Sequence, residues 1–197
     1  MPKGRVEAFA DGIFAFAATL LILNLVVDQS RPLGPQLIDN WTSYAAYAIS
    51  FITIGIIGAN HHTVMHQLAR VDRFFLLVTV LFLMFIAFIP FPTRLLALDI
   101  RGADAQAAAV LYGVTLTGTA IMFNILWRYA AGGRRLLRQD ADQQVVDGIS
   151  RSYLLGPVSY GFATLVAFAS PAVSAALYVA IAIFYVVESS VYGRTTR

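Results

Sequence analysis

The segment RVEAFADGIFAFAATLLILNL, residues 5–25, decides the fold of this chain. It is long and apolar enough to cross a bilayer as a helix, since about 20 residues span a hydrocarbon layer of about 30 Å. Yet its first turns carry Arg5, Glu7 and Asp11. A charge inside a membrane helix is costly and marks a pathway, a partner or an orientation signal. The role of these three charges therefore has to be sought in the rest of the sequence.

The composition of the whole chain is that of a membrane protein. Of its 197 residues, 58% are hydrophobic and 13% are charged, whereas a soluble domain has about 25% charged residues. The mean hydropathy is +0.70. The net charge of +3 indicates basic cytoplasmic loops, so no nucleic-acid partner is expected. Because the chain has no cysteine, it has neither disulfides nor thiolate metal sites.

Runs without Asp, Glu, Lys or Arg predict an all-α membrane protein with six transmembrane helices in a single domain, residues 1–197. The last uncharged run is too long for one span, and Ser170-Pro171 near its midpoint predicts a break into two helices. Pro90 and Pro92 predict a kink near the end of the third span. The predicted spans cover about residues 5–27, 40–65, 74–98, 105–128, 152–169 and 171–190.

The loops divide Lys and Arg unequally, and this bias predicts the orientation. One side receives three basic residues, Arg31, Arg94 and Arg101. The other side, expected to be cytoplasmic together with both termini, receives eleven: Lys3, Arg5, Arg70, Arg73, Arg128, Arg134, Arg135, Arg138, Arg151, Arg194 and Arg197. The polar linker between the fourth and fifth spans, residues 132–148, is expected to form a short interfacial helix.

The first span has two different faces when it is unrolled at about 100° per residue. Asp11 lies beside small residues, where another helix can approach closely. We therefore expect Asp11 to point into the bundle and to accept a hydrogen bond there. The opposite face suits lipid contact or the bundle core and carries an apolar stripe of Phe9, Phe16, Leu20, Leu23 and Val27.

The segment GANHHTVMHQLARVDR, residues 58–73, lies on the same side of the membrane as Asp11. We predict that His61 or His62 donates the hydrogen bond to Asp11. The same three side chains could instead relay protons in a small transporter. His62 and His66 have the spacing of zinc ligands, as in a metal carrier or an intramembrane enzyme. Because no third ligand is evident, neither a metal site nor a cofactor is predicted, and the polar inventory of the spans is too small for most enzymes.

These residues resemble the transmembrane protein 175 family of potassium channels. Arg5, Phe9 and Asp11 stand as in the RxxxFSD signature that opens helix 1 of that family. The His61-His62 pair and FIPFPTRLL, residues 88–96, resemble the ends of its second and third helices. Ala10 departs from the signature, because it replaces a serine and so removes one hydroxyl.

The resemblance implies a homotetrameric, potassium-preferring cation leak channel in the plasma membrane of a bacterium, in contact with lipid and permeant K⁺. Helix 1 of each subunit would line a central pore, and its apolar side chains would form the constriction. Matching from Arg5 places the constriction at Phe16, where the family usually has Ile or Leu, and the next lining positions at Thr19, Leu20 and Leu23. A network of residues would hold helix 1 against its neighbours: Arg5, Phe9, Asp11, His61 and His62. The alternative is the proton-coupled transporter, with Asp11 and the His61/His62 pair as its relay.

Overall fold

The computed structural model describes the backbone of residues 2–195 and the side chains of residues 2–187. Arg197 and the side chain of Arg194, both counted on the basic side, lie outside these described residues. Short 3₁₀ turns, Leu21–Asn24 and Gly132–Arg134, extend the first and sixth helices. The α-helices are α1 (Lys3–Leu20), α2 (Leu33–Asp39), α3 (Trp41–Gln67), α4 (Arg73–Phe88), α5 (Pro90–Asp99), α6 (Ala105–Ala131), α7 (Gln143–Ala167) and α8 (Pro171–Thr195).

Several of these helices are membrane-spanning by length and composition. Within the described residues there are four such segments, and they follow the first four predicted spans in order: Lys3–Asn24, Trp41–Gln67, Arg73–Asp99 and Ala105–Arg134. The helices α7 and α8 follow at the places of the fifth and sixth predicted spans, and α8 has an apolar stretch at Pro171–Val187. The chain leaves the helical conformation after Ala167 and resumes it at Pro171, where the sequence predicted a break.

The third span is kinked at the predicted prolines. Ile89 separates α4 from α5, and Pro90 is the first residue of α5, a position that needs no N–H donor. The side chain of Asn24, at the end of the 3₁₀ turn after α1, donates to the carbonyl oxygen of Pro90 over 3.1 Å. The end of the first span is therefore fastened to the kink.

The helix α6 lies at the centre of the bundle and contacts α4, α5, α7 and α8. Gly113 of α6 allows α7 and α8 to approach the backbone of α6 closely. A Cβ at this position would collide with the hydroxyl groups of Tyr178 on α8 and Thr164 on α7. The hydroxyl of Tyr178 also donates to the carbonyl oxygen of Ala109 over 3.2 Å. Three helices thus meet at a point that has room only for glycine.

The linker after α6 does not form the interfacial helix that we expected. Gly133 adopts a positive φ of 58°, which ends helical geometry. The following residues extend along the end of α3: the N–H of Ala69 donates to Leu136 and the N–H of Arg138 donates to Gln67, both over 2.9 Å. Only at Gln143 does the chain become α-helical again, as the start of α7. The linker therefore fastens α3 to α6 rather than lying as a separate helix.

A second connection at the same end joins α4 to α6. Asp72 caps α4 by accepting from the N–H of Phe75 over 2.9 Å and accepts from the hydroxyl of Tyr129 on α6 over 2.6 Å. The hydrogen bond from Tyr129, with that from Phe75, lowers the pKa of the Asp72 carboxyl below its usual value. The guanidinium of Arg135 lies 4.7 Å from the centroid of the Tyr129 ring. Charged and aromatic groups thus hold the basic end of the bundle together.

Candidate functional site

The first helix is buried on one face and uncovered on the other. Phe16 and Leu23 are 60% and 66% exposed. Phe9 and Thr19 are exposed beside them, and Leu20 is half-buried. The predicted apolar stripe therefore lies on the uncovered face. The buried face consists of Val6, Ala10, Phe14, Ala17 and Leu21.

The buried face is close-packed because small and large residues alternate on it. The ring of Phe14 fills the space between α3 and α4, with its centroid 6.0 Å from that of Phe82. It lies over Gly58, where an added Cβ would be 3.5 Å from the ring. Ala10 is fully buried in the same interface. A serine hydroxyl at this position would need a buried partner, so the departure from the signature matches an apolar environment.

His61 is buried and has no hydrogen-bond partner in the described part of the chain. Its side chain is fully covered, and neither ring nitrogen has a donor or acceptor. The imidazole centroid is 5.6 Å from that of Phe14 and 5.8 Å from that of Phe82, with which it is stacked. The predicted hydrogen bond from His61 to Asp11 is therefore not formed. His61 instead serves as a flat ring between two other rings.

His62 pairs with Glu7 rather than with Asp11. Its Nδ1 atom lies 3.0 Å from the Glu7 carboxylate. Asp11 is exposed and makes no hydrogen bond or ion pair with the described residues, so the prediction that it points into the protomer's own bundle is wrong. Glu7 lies one turn before Asp11 and nearer the buried face of α1, and no signal in the sequence distinguished these two carboxylates as partners of His62. Lys3 makes a second contact between α1 and the end of α3, because its Nζ donates to the carbonyl oxygen of Leu68 over 2.9 Å.

The two alternative roles of the histidines, a proton relay and a metal site, have little geometric basis within one protomer. Asp11, His61 and His62 do not form a continuous hydrogen-bonded chain, because neither ring nitrogen of His61 makes a hydrogen bond in the described part of the chain and His62 pairs with Glu7. His66 is exposed on the surface. Among the described residues, no three His, Asp or Glu side chains are grouped closely enough to hold a metal ion.

Replacing His61 with leucine is expected to leave the fold as stable or to stabilise it. The substitution removes two buried nitrogens without partners, and such a group costs about 1–3 kcal/mol. Thermal unfolding of the purified protein in detergent measures the effect. The control is His62→Leu, which breaks the pair with Glu7 and should cost at most about 1 kcal/mol, because the pair is partly exposed. A large loss of stability in His61→Leu alone would show that the imidazole has a polar role.

Fold and site together define a multi-pass, all-helical membrane protein whose first helix leaves an apolar face uncovered. The family described as endosomal/lysosomal potassium channel TMEM175 matches residues 5–90. "Potassium channel Cha6605_3372" of Chamaesiphon minutus is 39% identical over 192 residues, 95% of each chain. "Potassium channel B446_29190" of Streptomyces collinus is 37% identical over 191 residues, 93% of this chain and 91% of that one.

A solved structure has the same architecture. It is the crystal structure of a lysosomal potassium-selective channel TMEM175 homolog from Chamaesiphon minutus, which superposes with a TM-score of 0.86 at 36% identity. The superposition covers 95% of this chain and 97% of that one. The chain belongs to the TMEM175 family.

Proposed function

We propose that this protein is a potassium-preferring cation channel assembled from four copies, with α1 of each copy around a central pore. Two relatives that align over nearly their whole length are named potassium channels. The proposal assigns no catalytic activity and no cofactor to the chain, and the permeant ion is K⁺. The family matched here is named for a channel rather than for an enzyme.

The uncovered face of α1 is the observation that carries this proposal. An apolar helix face left open by its own bundle is covered by lipid, by a second copy or by a water-filled pore. A ring of four apolar side chains at each level of a pore sheds water and gates by dewetting. Phe16 would form the narrowest ring, and Thr19, Leu20 and Leu23 would continue the lining.

The one hydroxyl on this lining is already bound within the helix. Thr19 donates its hydroxyl to the carbonyl oxygen of Phe16 over 2.9 Å. A serine or threonine bonded in this way leaves less polar surface for a passing ion. The path along α1 is therefore mainly apolar, so that ions are controlled by hydration and width rather than by a carbonyl filter.

The charged residues that open α1 would act between copies of the chain. Arg5, Phe9 and Asp11 are exposed in the protomer, so they are available to a neighbouring subunit. His61 and the His62–Glu7 pair hold α1 against α3 of the same subunit. In this proposal Asp11 keeps its place in the supporting network, but its partner lies in the next subunit.

Flux through purified protein in vesicles tests the proposed function. With a potassium gradient as the only driving force, a channel passes K⁺ without a coupled substrate, and K⁺ flux should exceed Na⁺ flux. Vesicles without protein measure the background. K⁺ movement that requires a proton gradient would favour the proton-coupled transporter, and absence of flux from tetrameric protein would contradict a leak channel.

The proposed orientation places the basic end and both termini in the cytoplasm of a bacterial cell, with the protein in the plasma membrane. Gly34 and Gly132 suit a labelling test, because each is exposed and an added Cβ meets no atom within 4 Å. The chain has no native cysteine. An impermeant thiol reagent added to intact cells should label Gly34→Cys, whereas Gly132→Cys should react only after lysis. Labelling of Gly132→Cys in intact cells would reverse the orientation.

A further inference from the structure

A cavity of about 330 Å³ lies between α3, α5 and α8. It is at the end of the bundle opposite the Leu68–Leu137 contact, near the start of α3 and the end of α5. Its size is within the lower range of small-molecule sites, which begins at about 300 Å³. An apolar cavity of about half this volume is large enough to take up benzene. The space is therefore sufficient for a hydrocarbon ligand.

The cavity exists because short side chains face one another across it. Six of its sixteen lining residues are alanine, among them Ala46 on α3 and Ala175 on α8. Alanine leaves a gap between helices that larger residues would close. An α-helix with its side chains is about 10–12 Å across, so a helix of a second copy is too thick to enter the gap. A single hydrocarbon chain is thin enough.

The hydroxyl groups around the cavity are all bonded within the protein. Thr42 donates to the carbonyl oxygen of Ala97 over 3.1 Å. The hydroxyls of Ser50 and Tyr112 are 3.1 Å apart, and Tyr178 donates to a carbonyl oxygen of α6. The walls thus present no unsatisfied hydroxyl, and an occupant needs no polar group inside.

The mouth of the cavity, in contrast, carries a positive charge. The guanidinium of Arg101 lies 5.3 Å from the centroid of the Trp41 ring, a cation–π distance. Both residues line the cavity. In the described part of the chain Arg101 makes no ion pair or hydrogen bond, although Asp99 and Asp104 are near it in sequence. Its N–H donors are therefore available for an anion, and arginine binds phosphate well.

We propose that this cavity is a binding site for an anionic phospholipid, with one acyl chain between α3, α5 and α8 and the phosphate on Arg101. An apolar interior and a cationic mouth match the two parts of such a lipid. Tryptophan and arginine at the mouth are also typical of the level where headgroups lie. The site is separate from α1, so the proposal does not depend on the proposed conduction pathway.

Trp41 provides a direct test, because brominated acyl chains quench nearby tryptophan. Trp127 is the other tryptophan of the chain, and Trp127→Phe leaves Trp41 as the reporter. This protein is reconstituted in phosphatidylcholine vesicles containing equal fractions of brominated phosphatidylglycerol or brominated phosphatidylcholine. Quenching by the phosphatidylglycerol should be several-fold stronger. If Trp127→Phe does not fold, native mass spectrometry of the unaltered protein should count one retained phosphatidylglycerol per chain.

Two substitutions separate the headgroup from the acyl chain. Arg101→Gln should make the two lipids quench equally, whereas Arg94→Gln, which lies on α5 and outside the cavity, should keep the preference. Ala175→Phe should fill the cavity and reduce quenching by both lipids, whereas Ala180→Phe on the exposed side of α8 should not.

Three results would overturn the proposal. Equal quenching of the unaltered cavity by the two lipids would show that Arg101 selects no headgroup. Unchanged quenching in Ala175→Phe would place the lipid on the outer surface rather than in the cavity. Absence of quenching by either lipid would indicate that another copy of the chain covers this face.

Discussion

Replacing Phe16 with alanine is expected to raise K⁺ and Na⁺ flux together and to reduce the discrimination between them. Four phenylalanine rings around one axis would close a narrow pore by their size and exclude water. Their π faces would attract a cation within about 6 Å, but rings turned edge-on to the axis do not offer these faces. Each 1.4 kcal/mol, roughly, removed from the barrier raises the flux about tenfold. Isotope flux or current in vesicles measures both ions.

Phe162 on α7 is the matched control for this experiment, because it is exposed to the same extent as Phe16, 60%. Phe162→Ala removes the same side chain from a face that is not part of the proposed pore. It should leave flux and preference unchanged. Should Phe16→Ala also leave both unchanged, Phe16 is not at the constriction, and the alignment of α1 with the family is incorrect.

The substitution Gly113→Ala is expected to cause a loss of folded protein. Its Cβ would enter the space of the Tyr178 and Thr164 hydroxyls, and overpacking a close-packed core costs about 1–3 kcal/mol. Tyr178 cannot easily turn away, because its ring lies 5.2 Å from that of Tyr112. The measurements are the yield of purified protein, its elution profile in detergent and its thermal unfolding.

Two variants make the cause of this loss clear. Gly148→Ala, in α7, adds a Cβ that meets no atom within 4 Å and should stabilise the helix by up to about 1 kcal/mol. Tyr178→Phe removes one of the two hydroxyls that the new Cβ meets, so it should partly restore Gly113→Ala. Normal stability of Gly113→Ala would mean that α6, α7 and α8 are farther apart than the contacts of Gly113 indicate.

The spans could be predicted because they depend on composition and on proline. Uncharged runs longer than a bilayer crossing must be buried in lipid or protein. Pro90 and Pro171 lack the N–H that a helix interior needs, so the kink and the break follow from the chain itself. The linker was predicted less well, because its pairing with residues Gln67 and Ala69 depends on where α3 ends in space.

The partners of the charges on α1 could not be predicted from sequence. Glu7 and Asp11 are one turn apart and project about 40° from each other, so both lie at the margin between the buried and the uncovered face. A small rotation of α1 decides which carboxylate meets α3. Phe14 and Gly58 set that rotation, since the ring rests on the glycine. Such a contact between helices has no signal in the sequence of either helix alone.

The 3₁₀ turn Leu21–Asn24 changes the winding of the first span at its end. A 3₁₀ turn has 3.0 residues per turn and rises about 2.0 Å per residue, against about 1.5 Å in an α-helix. Leu20 and Leu23, three residues apart, therefore stand one above the other about 6 Å apart along the axis. In a four-fold assembly, the four Leu20 side chains and the four Leu23 side chains would then lie directly above one another instead of being rotated about the pore axis. In the proposed pore, the length of path that an ion crosses without water would then depend on backbone winding as well as on side-chain size.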